Sequence, residues 1–532
     1  MLVVQSLAVA LMYMGLALVL YVLGLFGYRV TLHPLSRYSG PPLGKFTDCY
    51  SLYHAALKRL HLAIWQNHLN YGPVVRLGPN KLVFNSITAL RDIYNNERLS
   101  KSRAYLVAMQ APGVHNIFDV LDKQAHRAKR KLIGQALTQR SMKSFEPIII
   151  QQTNVFLKII YESSRGPATG AINVTPPCKY LGFDIVSLLA FGQPLNTLTT
   201  SKNRFIAGGI AVGNFFQNVR MQYPRLAQLR LTEALNLFAN VRKARARNRA
   251  LVEKLITDRL AEGVDARHDL YSIVAGSIDT KGNGNIRHSE FWAESLFFLP
   301  AGGDTTSTCL AALFFYLSRN PICYKKLCEE IRTTFTSGSE IRDGQQLRSC
   351  EYLRACIDEA LRVAPPVPGA LWREQPPTDR VEEEIVIDGH VIPRGTQVGV
   401  SLYSLHHNSE YFPDPFAYKP ERWLSHTSET QRSAMHEAWS PFSLGPRACA
   451  GKAMAYMEVS LLIGKTLWYF DFETAQGVEG QLGAGKEGDT TGRDRLSEYQ
   501  IYDTFGTTHD GPNLVFHARE ETIWELLKEA AD

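Results

Sequence analysis

The run Phe442-Ser-Leu-Gly-Pro-Arg-Ala-Cys-Ala-Gly451 holds the residues best placed to do chemistry in this 532-residue chain. Cys449 lies between Gly445 and Gly451, and glycine lets a backbone turn tightly and approach a bound group closely. The apolar run from Met454 to Ile463 has helical periodicity. It would set the sulfur near a helix N-terminus, whose partial positive charge favours thiolate over thiol. A soft thiolate in a shielded loop suits iron. A lone cysteine is otherwise more often a small buried hydrophobe, so the flanking pattern decides the reading.

Upstream, Ala301-Gly-Gly-Asp-Thr-Thr306 lies in an apolar stretch from Ser289 to Arg319 that reads as one long helix. Pro300 cannot donate to the preceding turn and Gly302-Gly303 weaken the next, so a kink with unsatisfied backbone groups is expected there. Asp304 and Thr305 place an acid and a hydroxyl beside that point. A further helical stretch, residues 352–363, carries Glu359 and Arg362 at i and i+3 on one face, and Pro420-Glu-Arg-Trp423 follows it. That spacing alone usually marks a solvated surface pair.

The loop at 442–451 resembles the haem-ligand signature of the cytochromes P450, Phe-x-x-Gly-x-Arg-x-Cys-x-Gly, at each fixed position. The resemblance implies a mainly α fold with minor β: one large haem domain preceded by an N-terminal transmembrane helix. It implies haem b as cofactor, Cys449 as the iron ligand, and Phe442 and Arg447 as cofactor-binding residues, Arg447 on a propionate. His126 and Arg130, spaced i,i+4, match the family's Trp-x-x-x-Arg motif with His in place of Trp. Arg373 matches a strand position that reaches a propionate. Asp304 and Thr305 match the pair that delivers protons during oxygen activation, and Glu359, Arg362 and Arg422 match a buried structural triad.

The function so implied is a monooxygenase that inserts one atom of O2 into a lipophilic small molecule, such as a terpenoid, polyketide, fatty or aromatic secondary metabolite. NADPH would supply electrons through a separate P450 reductase, since no flavin domain fits in the chain. By the same resemblance the pocket draws on Tyr105 to Phe118, Phe215-Phe216, Phe297 to Ala301, Val367 to Leu371 and Phe505. A thiolate-haem isomerase, dehydratase or peroxygenase would not need the Asp304-Thr305 pair, and a non-catalytic haem-binding protein would need neither anchor nor reductase.

Residues 1–28 carry no charged side chain and are dense in Leu, Val, Ala and Met, longer than the roughly 20 apolar residues that span a bilayer. A basic n-region, a short apolar core and a small-residue cleavage site are not evident, so the segment reads as a retained anchor. Arg29 and Arg37 follow it, which leaves the rest of the chain cytosolic by the positive-inside tendency and points to the endoplasmic reticulum membrane. Residues 29–45 form a Pro-rich hinge and 46–532 the haem domain.

Eight scattered cysteines show no zinc spacing and fit a reduced compartment better than a disulfide framework. A net charge of +7 excludes no partner class. Of two basic clusters, Arg127 to Lys131 is a candidate reductase-docking surface by resemblance, and Arg242 to Arg247 reads as a solvated helix face. Residues 474–492, Gly-rich and polar, read as an exposed loop.

Overall fold

The apolar N-terminal run forms a single helix, α1 (Leu2–Thr31), in the computed structural model. The model describes residues 2–109, 113–165, 170–224, 239–263, 266–267, 269–274, 278–279, 286–381, 383–424 and 429–529. The stretch Gln5–Thr31 has mean hydropathy 2.3 and none of it is buried against protein, so its apolar side chains find no core of their own. Past it the chain turns, and the expected hinge contains a short helix, Pro42–Phe46, started by proline at its first position.

The body is mainly helical with small sheets. Five helices position the site: α2 (Lys123–Ala136), α3 (Thr175–Phe191), α4 (Phe205–Gln222), α5 (His288–Arg319) and α6 (Glu351–Val363). A sixth, α7 (Lys452–Tyr469), follows the cysteine loop. Asp122 caps α2 by accepting from the Ala125 N–H at 2.7 Å, which fixes where the basic face of that helix begins.

Helix α5 runs unbroken through Pro300 and the glycine pair, so the expected kink does not interrupt it. The glycines serve packing instead. A Cβ on Gly302 would strike Val186 and one on Gly303 would strike the Phe183 ring, while one on Gly182 would lie 2.7 Å from the Gly303 carbonyl. Bare backbone on both sides thus lets α3 and α5 touch. The C-terminal half of α5, Leu310 to Leu317, is fully buried and packs with α6 and α7 in the largest apolar cluster.

Five short strands form the main sheet: β1 (Val74–Gly78), β2 (Lys81–Phe84), β3 (Ser100–Lys101), β4 (Arg373–Glu374) and β5 (Gln397–Val400). Their order is β1-β2-β5-β4-β3, with only β2 and β5 parallel. Register sets Lys101 directly opposite Arg373. The loop 474–492 is largely exposed, although Gly480 is buried where a side chain would collide with the Ala475 carbonyl.

Candidate functional site

The cysteine loop is built backbone first. Gly445 opens a turn, Gly445–Arg447, with φ 69°, where a Cβ would run into the Tyr94 carbonyl, so only glycine fits. The Cys449 N–H donates to the Phe442 carbonyl at 2.8 Å and closes the bend, and Gly451 stands at the N-cap directly before α7 begins at Lys452. Phe442 packs edge-on to Trp439 and against Tyr456, wedging the loop on the core.

Cys449 keeps exposed surface, yet surrounding protein is dense enough that burial pushes its thiol up, against the pull of the Gly451 backbone, Arg130 and Lys452. The expected helix-terminal bias to thiolate is therefore outweighed in the protein alone, and a bound metal ion would supply the charge that deprotonates the sulfur.

Basic groups gather near this loop. Arg447 donates to the Val120 and Leu121 carbonyls at 2.7 and 3.0 Å, and burial together with Arg373 brings its guanidinium down to about 10. Arg373, buried on β4 between β5 and the edge strand β3, stacks its guanidinium 4.9 Å from the Tyr94 ring. Lys101, its cross-strand partner, is held well below its ordinary value by burial, Arg373 and Arg447, with Asp119 opposing. His126, buried on α2, is pushed down to about 3 by burial and by the charges of Arg447, Lys101, Arg130 and Arg373.

Like charges placed directly opposite on a sheet destabilise it, and buried cations lacking full compensation are costly. Asp119 and Asp122 offset this gathering only in part. A sulfur donor in a loop that also supplies Arg447 to a cluster of mutually repelling basic groups fits a metal-bearing group with an anionic edge, which is the chemistry of a thiolate-ligated haem.

Arg130 lies against the ligand loop. Its guanidinium donates to the carbonyls of Ala448 and Cys449 at 2.6 and 3.4 Å, so it braces the ligand loop itself. Lys101 was missed by sequence reasoning because its membership depends on a two-residue strand pairing, which leaves no periodic signal.

On α5, Thr305 Oγ1 donates to the Ala301 carbonyl at 2.8 Å. Asp304 accepts from Asn214 Nδ2 of α4 at 3.1 Å, and burial pushes its carboxyl up to about 6, against the pull of Lys179. On the neighbouring α7, buried Glu458 is pushed up to about 8 by burial, with a hydrogen bond to Thr306 pulling it down. Glu458 was also missed; its signal was a lone acid inside the apolar run that begins at Met454.

Beneath the loop, Glu359, Arg362 and Arg422 do meet. Arg362 grips both Glu359 oxygens at 2.9 and 2.8 Å, and Arg422 Nε adds a bond at 3.0 Å. Trp423 Nε1 and the Lys419 N–H complete the carboxylate's partners, at 3.0 and 2.9 Å. Burial alone would raise Glu359, but the two guanidiniums and these hydrogen bonds hold it below the ordinary carboxylate value.

Of the α2 basic cluster, Arg127 and Lys131 are exposed, whereas Lys129 is buried against Glu290 and Glu294. The docking surface expected there thus loses its central charge. Of Arg242 to Arg247, Arg242, Lys243 and Arg247 are exposed.

Comparison with known proteins places this geometry among haem-thiolate enzymes. Residues 41–486 match the family described as Cytochrome P450. Cytochrome P450 monooxygenase apf7 of Gibberella fujikuroi is 33% identical over 513 residues, covering 93% of this chain and 95% of the relative. Cytochrome P450 monooxygenase AKT7 of Alternaria alternata is 33% identical over 506 residues, with 93% and 95% covered. Cytochrome P450 monooxygenase poxM of Penicillium oxalicum is 35% identical over 471 residues, with 86% and 88% covered.

Proposed function

Because this chain belongs to the cytochrome P450 family and is a P450 monooxygenase, we propose that it inserts one oxygen atom from O2 into a lipophilic small molecule of secondary metabolism. The substrate class is a terpenoid, polyketide, fatty or aromatic compound, and electrons come from NADPH through a separate P450 reductase. The observation that carries the reading is the partly exposed Cys449 in a glycine-framed loop whose Arg447 belongs to a cluster of buried basic groups with Arg373 and Lys101.

In this reading Cys449 holds the iron of haem b, Arg447 and Arg373 hold its propionates with His126 beside them, and Phe442 shields the sulfur. Arg130 positions the loop by its bonds to the Ala448 and Cys449 carbonyls. When bound, the haem supplies oxygen activation, with the thiolate donating electron density that favours O–O cleavage. Asp304, with its carboxyl near 6, holds a proton at the lower end of neutral pH and passes it toward Thr305 Oγ1. Thr305 keeps its hydroxyl oriented through Ala301. Glu458 keeps a second proton on the α7 side, next to Thr306.

The organisation that goes with this function is a single-pass anchor at 1–28 in the endoplasmic reticulum membrane, a hinge at 29–45 and a cytosolic haem domain at 46–532. The 27-residue apolar stretch Gln5–Thr31 supports the anchor. The exposed Arg127 and Lys131 are the groups left on α2 to meet an acidic reductase.

The test pairs two variants. Cys449→Ser removes the red-shifted band of the reduced carbon-monoxide complex. Thr305→Ala keeps that band and lets NADPH be consumed with reductase while product yield falls about tenfold or more. A retained band in Cys449→Ser overturns the ligand assignment, and unchanged coupling of NADPH to product in Thr305→Ala overturns the proton role.

A further inference from the structure

A cavity lies between Leu60 and Ile64, the last turn of α4 and the turn at 367–372, closed by the hairpin loop at Asp503 to Phe505. Its wall is apolar except for Asn218, Gln222 and Asp503. These three are 3%, 3% and 1% exposed, so none is a surface group that happens to touch the space. The free volume is about 10 Å³, room for one water-sized group.

The three side chains form a chain of bonds that stops short. Gln222 Nε2 donates to Asn218 Oδ1 at 3.2 Å, and Asn218 Nδ2 donates to Asp503 Oδ1 at 3.0 Å. The Phe505 N–H adds a second donor to the same oxygen at 3.1 Å. Asp503 Oδ2 and Gln222 Oε1 are left buried with no hydrogen-bond partner. His61 Nδ1, at 4.0 Å from Asp503 Oδ2, is beyond hydrogen-bond reach, and the His61 backbone N–H pulls on the carboxyl without closing a hydrogen bond to that oxygen.

Two further features aim this corner at the cavity. Asp503 Oδ2 faces Gly369 in the cavity wall, where a Cβ would sit 3.5 Å from it, so the missing side chain leaves the oxygen uncovered. Phe505 is held at φ 79°, a conformation a non-glycine residue adopts only under constraint from its surroundings. Its ring meets Phe118 at 5.0 Å, and Phe118 stacks on Phe297 of α5 at 5.1 Å. A continuous aromatic wall therefore leads from the polar corner toward α5, two turns before Asp304.

We propose that Asp503, Gln222 and Asn218 form a polar subsite at the far end of the substrate pocket, and that the substrate is an apolar molecule bearing a hydroxyl or amine N–H that donates to Asp503 Oδ2 and Gln222 Oε1. The proposal rests on the monooxygenase reading of the pocket above. Both orphan atoms are acceptors, so only a donor satisfies them, and a site built to bond a donor rejects the analogue that lacks it. The substrate enters already carrying that polar group, so the step that installs the hydroxyl or N–H precedes this one.

The test uses the full-length haem-loaded protein and three probe pairs: farnesol, dodecan-1-ol and 1-adamantanol, each against its methyl ether. Dissociation constants come from equilibrium dialysis. The alcohols are expected to bind about tenfold tighter than the ethers or better. Asp503→Leu brings that ratio to about one, and Gln222→Leu lowers it several-fold. Asp503→Asn keeps the side-chain volume should the leucine variant misfold, and it also lowers the ratio because its amide offers a donor.

Equal affinities for alcohol and ether in the unmodified protein, failure of all three alcohols to bind, or a ratio untouched by Gln222→Leu and Asp503→Asn would overturn the subsite. The last result would mean that water alone occupies the corner. The carbon-monoxide band, recorded on the same samples, separates the two readings: its absence defeats the haem-thiolate assignment, and its presence without discrimination defeats the subsite only.

Discussion

Two groups of buried charge flank the cysteine loop and are built on opposite plans. Beneath it, one carboxylate, Glu359, is surrounded by Arg362, Arg422, Trp423 and the Lys419 N–H, and Arg362 also donates to the carbonyls of His406, Pro415 and Ala417. Above it, Lys101, Arg373, Arg447 and His126 face one another with Asp119 and Asp122 as partial counterweights. The first set is closed: every charge meets its opposite inside the protein. The second is open, and its balance has to come from something that binds. The same residue types therefore serve rigidity in one place and recognition in the other, and the partner list tells them apart.

Breaking the closed set should have the largest effect. Arg362→Ala takes from the fully buried Glu359 carboxylate the guanidinium that grips both its oxygens, leaving Arg422, and leaves three carbonyls without their donor. Removal of one partner from a buried pair costs about 3–5 kcal/mol, a large part of the stability of a typical domain. The expected outcome is mostly insoluble protein, with the soluble remainder losing its helical circular dichroism at lower urea. Soluble Arg362→Ala with an unshifted urea midpoint would show that the triad does not hold the fold.

The open set should respond the other way. Arg447→Leu removes a like charge from beside Arg373 and Lys101, so helix content and solubility hold. Haem retention is what falls. Loss of one charge-assisted bond, about 1.5–3 kcal/mol, predicts release to an apomyoglobin acceptor roughly 10- to 100-fold faster. A variant that loses solubility and haem together would place Arg447 with the closed set, through its bonds to Val120 and Leu121.

The ligand loop, the long helix with Asp304 and Thr305, and the Glu359, Arg362 and Arg422 set were legible in sequence because each lies in a local motif or on one helical face. Lys101 was not, since its neighbour Arg373 is 272 residues away and joined to it by a two-residue strand. The purpose of Gly302-Gly303 was misread for a related reason. Glycine in a helix signals either a weak turn or a close neighbour, and only the position of Val186 and Phe183 on α3 decides which. The bonds of Arg130 to the Ala448 and Cys449 carbonyls were not legible, because a pattern of i and i+4 gives the face of a helix and not what lies opposite. The polar corner at Asp503 was invisible for the same cause: Asn218, Gln222 and Asp503 come from elements nearly 300 residues apart.

The smallest effect sharpens the comparison by pH. His126 is held down to about 3 by burial and the surrounding cations, while in the unfolded chain it titrates near 6.5. Between those values the unfolded state binds a proton that the folded state refuses, so stability falls as pH drops below about 6.5 and keeps falling toward 3. At pH 5.5 the share from this one residue is about 1 kcal/mol. Glu359 is shifted the same way, downward, and so acts in the same direction. Its depressed value means that the stability it lends above its unfolded value is lost only as pH falls through its lower folded one. The two sets therefore fail in sequence on acidification, the open one first. His126→Gln should remove that first loss, giving a urea midpoint by tryptophan fluorescence that changes less between pH 7 and pH 5.5 than in the unmodified protein. An equal fall in both proteins would mean that the cations around His126 do not exclude its proton, and the basic groups would then no longer be the uncompensated cluster on which the haem assignment leans.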